Sequence, residues 1–180
     1  GAEYYGYTAD VTRTIPANGV FSVEQKALYE IVYNSQEAAI NASQVGNSFR
    51  SIYKLSYDVV AEGLSQLGII DEASEARKYY PHGLSHHIGL DVHDPGNYGG
   101  LKTDMVITIE HGIYIPENSP CDPKWWNIGI RIEDDVLVTS EGPINLSAGA
   151  PRDWDSIELL MKEESALKDF VLPEINSLIQ

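Results

Sequence analysis

The spacing of hydrophobic positions changes several times along the chain. Residues 4–15, YYGYTADVTRTI, are rich in Tyr, Thr, Val and Ile, which predicts a strand or hairpin. Alternation along an extended chain puts Thr8, Asp10, Thr12 and Thr14 on one face. PANG (16–19) then predicts a turn. Ser22 and Gln25 form a capping-box start for a helix. Leu28, Ile31, Val32, Ala38, Ala39 and Ala42 follow at roughly helical spacing, toward a stop at Gly46. A second helix is predicted from Phe49 to Leu67, with Ile52, Leu55, Val59 and Leu64 as its buried stripe and Gly68 as its terminator. The acidic DEASEAR (71–77) suits a solvated helix or loop. MVITIE (105–110), GIYI (112–115) and NIGIRIEDDVLVT (127–139) predict strands, the last with a turn at Asp134-Asp135. A closing helix is expected from Ser156 to Phe170, and Pro173 interrupts the remainder. Helices followed by strands that read as antiparallel predict an α+β fold rather than alternating βαβ units.

Length and charge narrow the picture. The 180 residues, 43% hydrophobic and 22% charged, suit one globular domain with its own core. No apolar run approaches the roughly 18 residues of a membrane span. Twelve basic against 27 acidic residues give a net charge of −15, which weighs against nucleic acid or an anionic membrane as partner. Cys121 is the only cysteine, so no intramolecular disulfide forms, and a cytoplasmic location is the expectation. Cys121 lies in the loop-like PENSPCDPKWW with no base beside it in sequence, so a catalytic thiol is disfavoured. The N-terminal GAEYYGY has neither a leader pattern nor a starting methionine. The sequence therefore reads as a segment of a longer chain.

Three acids stand in unexpected places. Asp10 lies between Ala9 and Val11, Glu110 ends Val106-Ile107-Thr108-Ile109-Glu110, and Glu133 follows Gly129-Ile130-Arg131-Ile132. Arg131 and Glu133 share a face opposite Ile130 and Ile132. A carboxylate inside a sheet is costly unless it is paired or binds a cation. Either each acid occupies the solvent face of a half-exposed strand, or the three converge on a metal. A largely oxygen donor set suits manganese and also holds cobalt, iron or zinc.

Four of the five histidines fall in PHGLSHHIGLDVHD (81–94): His82, His86, His87 and His93. His82 and His86, four apart, share a face in a strand or a helix. His87 points the other way in an extended chain, toward a structural or rim position. His93, beyond Gly89, is able to return to the same centre. Imidazole serves as ligand or proton carrier, and spacing alone leaves both open. HGLSH is not the H-E-x-x-H zinc motif, because glycine stands where the glutamate belongs.

GYTADVTRT, HGLSHHIGLDVHD, MVITIEHGIYI and GIRIEDD occur in the order seen in the pita-bread metallopeptidases, and the chain resembles that family over residues 6–135. HGLSH followed by LDVHD is most similar to the aminopeptidase P branch, with prolidase a near neighbour. The resemblance implies a partial pita-bread fold, a curved antiparallel sheet flanked by helices. It also implies that residues 1–180 are the C-terminal portion of a catalytic domain, without its first strands, the preceding domain and one metal-ligating aspartate. Two divalent ions, manganese foremost, are implied for the full-length protein, with Asp10, His86, Glu110 and Glu133 among the ligands, and this segment by itself is expected to hold one metal or none. Asp10 and Glu133 would bridge the two ions. His82 and His93 resemble the histidines that contact substrate and move protons, Glu110 the proton shuttle, and Arg131 the arginine that orients the carboxylates. His111 departs from the family, where proline usually follows the glutamate. It either reaches the site or has a local structural role.

The implied reaction is hydrolysis of an N-terminal Xaa-Pro bond by a hydroxide shared between the ions, with His93 at the developing oxyanion. The implied partner is a peptide with proline second, acted on by a homo-oligomer. Trp125-Trp126 reads equally as an apolar rim for the proline ring or as cover for a long loop. An Xaa-Pro dipeptidase and a non-catalytic peptide-binding module on the same fold are the alternatives.

Overall fold

The structure, a computed structural model, describes residues 1–165 and 167–171. Pro173 lies outside the described residues. A two-residue hairpin, β1 (Glu3–Tyr4) and β2 (Tyr7–Thr8), opens the chain. Two long helices follow, α1 (Val23–Ala42) and α2 (Phe49–Gln66). Strands β3 (Val106–Ile115), β4 (Ile128–Thr139) and β5 (Gly142–Asn145) form an antiparallel sheet in that order. A short helix, α3 (Trp154–Leu160), closes the described part.

Local chemistry explains the helix ends. The Ser22 hydroxyl accepts from the Gln25 amide, and the Gln25 side chain accepts from the Ser22 amide. This reciprocal cap satisfies two donors that a helix start leaves orphaned. Ser48 and Ser51 do the same for α2. Gly68, at φ +67°, supplies the left-handed turn that ends α2. The buried stripe of α2 is Ile52, Ser56, Val60, Ala61 and Leu64; of the predicted set Ile52 and Leu64 are buried, Val59 is half-buried and Leu55 is exposed. The reason is the crossing with α1, where the Ser35 hydroxyl donates to the Ser56 carbonyl. A small polar residue lets the helices meet where a leucine would hold them apart.

The strands differ from the expectation in three ways. MVITIE and GIYI are one continuous strand. Asp134-Asp135 is not a turn: β4 runs straight through it, and the chain reverses at Ser140 and Glu141 into the unpredicted β5. Both aspartates are held in the strand by tertiary partners described below. Residues 4–15 pair only in the small hairpin and in a single bridge from Thr12 to Glu133. The stretch 71–77 is covered by a 3₁₀ turn over Ala73–Lys78. The closing helix is shorter than Ser156–Phe170, because the chain turns after Met161.

Period-two alternation gives the sheet two distinct faces. Ile107, Ile109, Ile113 and Ile115 of β3, with Ile130, Ile132, Val136 and Val138 of β4, are buried with residues of α1 and α2 in two hydrophobic clusters. Each fully buried side chain of this size stabilises the fold by about 1.5–3 kcal/mol. The residues between them, Thr108, Glu110, Gly112 and Tyr114 on β3 and Arg131, Glu133 and Asp135 on β4, lie on the opposite face. The acids singled out in the sequence therefore face away from the helices, onto one surface.

Candidate metal centre

Four segments bring the predicted donors together. The β3–β4 register places Glu110 directly opposite Glu133. Like charges in that relation repel unless a cation lies between them. The bridge from Thr12 to Glu133 carries Asp10 alongside β4. On the other edge of β3, Thr108 donates its amide to the His86 carbonyl at 2.9 Å, which draws the histidine segment beside Glu110. His86 Nε2 then lies 3.7 Å from Asp10 Oδ2, 3.8 Å from Glu133 Oε1 and 3.9 Å from Glu110 Oε1. Donor atoms of Asp10, His86 and Glu133 all lie within 4.8 Å of one another. Glu110 meets His86 but stands outside that mutual cluster. A divalent ion bound at about 2.0–2.2 Å needs donors about 3–4 Å apart, which is the separation of His86 from each of the three carboxylates.

The histidine is oriented as a ligand. His86 Nδ1 sits 3.0 Å from the His87 carbonyl, which only accepts, so Nδ1 carries the proton and Nε2 turns its lone pair toward the carboxylates. Glu133 is held by the Thr12 hydroxyl, which donates to Oε2 at 2.7 Å. Burial pushes Glu133 up to about 7, and the charges of Glu110 and Asp10 add to this, against the Thr12 bond and the charge of Arg131. Uncompensated negative charge of this kind is what a bound cation relieves.

The remaining predicted residues surround the donors. The His93 ring lies 4.4 Å from the His86 ring, edge to face. His82 Nδ1 donates to the Gly83 carbonyl, leaving Nε2 to accept from the Tyr114 hydroxyl at 3.1 Å. Arg131 acts through its charge on Glu133 and Tyr114. His111 lies on the helix face of β3, away from the donors. It is fully buried and stacked on Tyr80 at 5.7 Å, with neither ring nitrogen hydrogen-bonded. Burial, reinforced by His82, lowers its pKa to about 3. Trp125 and Trp126 pack on the first core cluster, and Trp126 donates to the Ser119 carbonyl, as cover for their loop. Burial pushes the Cys121 thiol upward, away from nucleophilic use.

Five contributors, Tyr114, Thr12, Arg13, Asp134 and Asp135, were not legible in the sequence. Tyr114 reaches His82 because Gly112 has no side chain: a Cβ there would lie 2.4 Å from the tyrosine hydroxyl. The spacing Glu110-Gly112-Tyr114 on one strand face was the available signal. Thr12 and Arg13 belong to the TRT motif yet act only across the fold. Arg13 donates to the Thr12 and Glu133 carbonyls and to Asp134 Oδ1. Asp134, fully buried, also accepts from Ser147 and Gln36, so it is satisfied despite its charge. Asp135 accepts the Asp10 amide at 3.2 Å and fixes the backbone of that donor. Burial raises its pKa, as do the charges of Asp10 and Asp134.

The fold is the pita-bread architecture, present here in part. The chain belongs to the metallopeptidase family M24, whose model matches residues 1–140. It is 41% identical to Xaa-Pro aminopeptidase 3 of Rattus norvegicus over 174 residues, covering 92% of this chain and 34% of that protein. It superposes on proline aminopeptidase P II from Yersinia pestis with a TM-score of 0.85 at 40% identity, covering 88% of this chain and 39% of that one. A structure of aminopeptidase P from Escherichia coli with the inhibitor Pro-Leu matches with the same TM-score at 38% identity, with 88% and 39% covered. The chain thus spans between a third and two-fifths of the length of these relatives. No helix among the described residues is long and apolar enough to cross a membrane.

Proposed function

We propose that the protein of which this chain forms part is a metal-dependent aminopeptidase that releases the first residue of peptides with proline second. The observation that carries the reading is the convergence of His86 Nε2 with Asp10, Glu110 and Glu133 within 3.9 Å. Asp10, His86, Glu110 and Glu133 hold divalent metal, manganese foremost, with cobalt, zinc or iron as alternatives. Bound there, divalent metal would polarise the scissile carbonyl and lower the pKa of a bound water. The other roles belong to side chains. Glu110, the more exposed of the two opposed glutamates, takes up and delivers the proton. His93, beside His86 and open to solvent, donates to the carbonyl oxygen as charge develops there. His82, fixed by Tyr114, shapes the pocket for the second residue. Arg131 balances the charge around Glu133. The enzyme is a cytoplasmic homo-oligomer.

The test is hydrolysis of an Xaa-Pro-Xaa tripeptide by the full-length protein. Cleavage is expected with manganese, lost in EDTA and restored by metal. Absence of cleavage after metal restoration would refute the reading. Activity confined to Xaa-Pro dipeptides would move the assignment to a dipeptidase. Failure to retain manganese would favour a peptide-binding module.

A further inference from the structure

We propose that His87 is a positioning residue: it clamps the loop that carries His93 over the metal centre and sets the ring of His86. The inference rests on the proposed role of His93 and adds a residue that has no direct access to substrate. His87 is buried, 9% exposed, and its ring sits among Phe49 at 5.3 Å, Tyr98 at 5.1 Å and the backbone of Gly96. A Cβ at Gly96 would lie 2.0 Å from His87 Cδ2, so the loop closes onto the imidazole only because residue 96 is glycine. The His87 Nε2 hydrogen points to the Asn97 carbonyl at 3.2 Å. The His87 carbonyl accepts twice, from the Asp94 amide at 3.0 Å and from His86 Nδ1 at 3.0 Å.

These contacts bracket His93. The loop leaves the β3 edge where His87 bridges Ile107 and carries the exposed His93. It returns at once to the His87 carbonyl through Asp94 and to the His87 ring through Asn97. Beyond it, Tyr98 packs on Phe49 at 5.0 Å, and the Phe49 amide donates to the Gly99 carbonyl, fastening the loop to the start of α2. An exposed side chain on a loop is placed only as well as the loop is anchored. Two of the anchors beside His93 fall on one residue, the Asp94 amide on the His87 carbonyl and the Asn97 carbonyl on the His87 ring, and the same His87 carbonyl fixes the ligand histidine; Thr8 separately holds the start of the loop at the Gly89 carbonyl. A misplacement of about 1 Å at a reacting group costs about a hundredfold in rate, so the clamp has leverage on turnover.

The experiment uses the full-length protein and the variants His87→Ala, His87→Gln and Gly96→Ala. Two readouts are taken: hydrogen exchange of the 88–99 segment without metal, and kcat and KM on an Xaa-Pro tripeptide with manganese. We expect His87→Ala to speed exchange in this segment about tenfold or more while the β3 and β4 amides keep their protection. It should lower kcat about tenfold or more with KM changed by less than about threefold. Glutamine retains an N–H aimed at Asn97, so His87→Gln should recover most of both. Gly96→Ala, which leaves His87 in place, should reproduce the His87→Ala effects and add little to them in the double variant. The inference is overturned if His87→Ala lowers global stability but leaves loop exchange and kcat unchanged, or if His87→Gln is as impaired as His87→Ala. Should the unmodified protein cleave no peptide, the functional reading fails while the exchange measurements still decide the clamp.

Discussion

Substituting His111 offers a quantitative check on how burial governs this fold. Its imidazole is fully buried with both nitrogens unpartnered, and its pKa is lowered from 6.5 to about 3. The sign follows directly. The unfolded chain takes up a proton below pH 6.5 and the folded protein does not, so the stability His111 permits at neutral pH is lost as pH falls toward 3. With those two values, protonation of the unfolded state costs about 2 kcal/mol at pH 5 and almost nothing at pH 7.5. His111→Met, of similar size and without a titrating group, removes this penalty. Urea unfolding, followed by fluorescence of the buried Trp125, is measured for both proteins at pH 7.5 and pH 5 in EDTA. The carboxylate cluster is common to both and cancels in the comparison. The unmodified protein should lose about 2 kcal/mol more than His111→Met between the two pH values. Parallel losses, within about 0.5 kcal/mol, would refute a neutral buried imidazole. A further gain for the variant at both pH values, about 1–3 kcal/mol, is expected from removing unpartnered polar atoms.

Other outcomes follow from the centre itself. Glu133 has a folded pKa raised to about 7, so the metal-free protein loses stability as pH rises from about 4.5 through 7. Glu133→Gln should therefore be more stable than the unmodified protein in EDTA at pH 8, by about 1–3 kcal/mol in urea unfolding, yet retain far less manganese by elemental analysis. Thr12→Val removes the 2.7 Å bond to Glu133 Oε2 and should weaken manganese binding about 10–100-fold in a competition titration. Gly112→Ala forces the Tyr114 hydroxyl from its place. It should raise KM for Xaa-Pro tripeptides about tenfold by releasing His82, an effect visible in steady-state kinetics.

The helix caps and the helix positions were legible in the sequence because each depends on local chemistry, and so was the oddity of Asp10, Glu110 and Glu133; the choice of His86 among the histidines came only from the family resemblance. Ser22-Gln25 satisfies backbone donors within one turn, and an acid beside isoleucines marks itself as out of place wherever the strand lies. On physical grounds the histidines could be sorted only once packing was known. His82 and His86, four residues apart, could share a face, but which one meets a carboxylate depends on the edge of β3 against which the segment lies. The same limit hid the course of β4. Two adjacent aspartates favour a turn locally, and only Arg13, Gln36 and Ser147 around Asp134, together with the Asp10 amide on Asp135, keep them in a strand.

By itself, then, the sequence determined which side chains could carry the chemistry and which elements would hold them, since caps, periodicity and misplaced charge act over a few residues. Tertiary structure alone decided that Glu110 faces Glu133 across two strands. It also decided that the Thr12 hydroxyl and the His87 carbonyl orient the donors, and that His111, one residue from a candidate ligand, lies on the other side of the sheet. The pairing of Glu110 with Glu133 joins residues 23 positions apart and that of Thr12 with Glu133 residues 121 apart, and no local preference encodes them. They follow from strand register and from burial of the isoleucine face against α1 and α2, which turns the opposite face, with its carboxylates, toward a common centre.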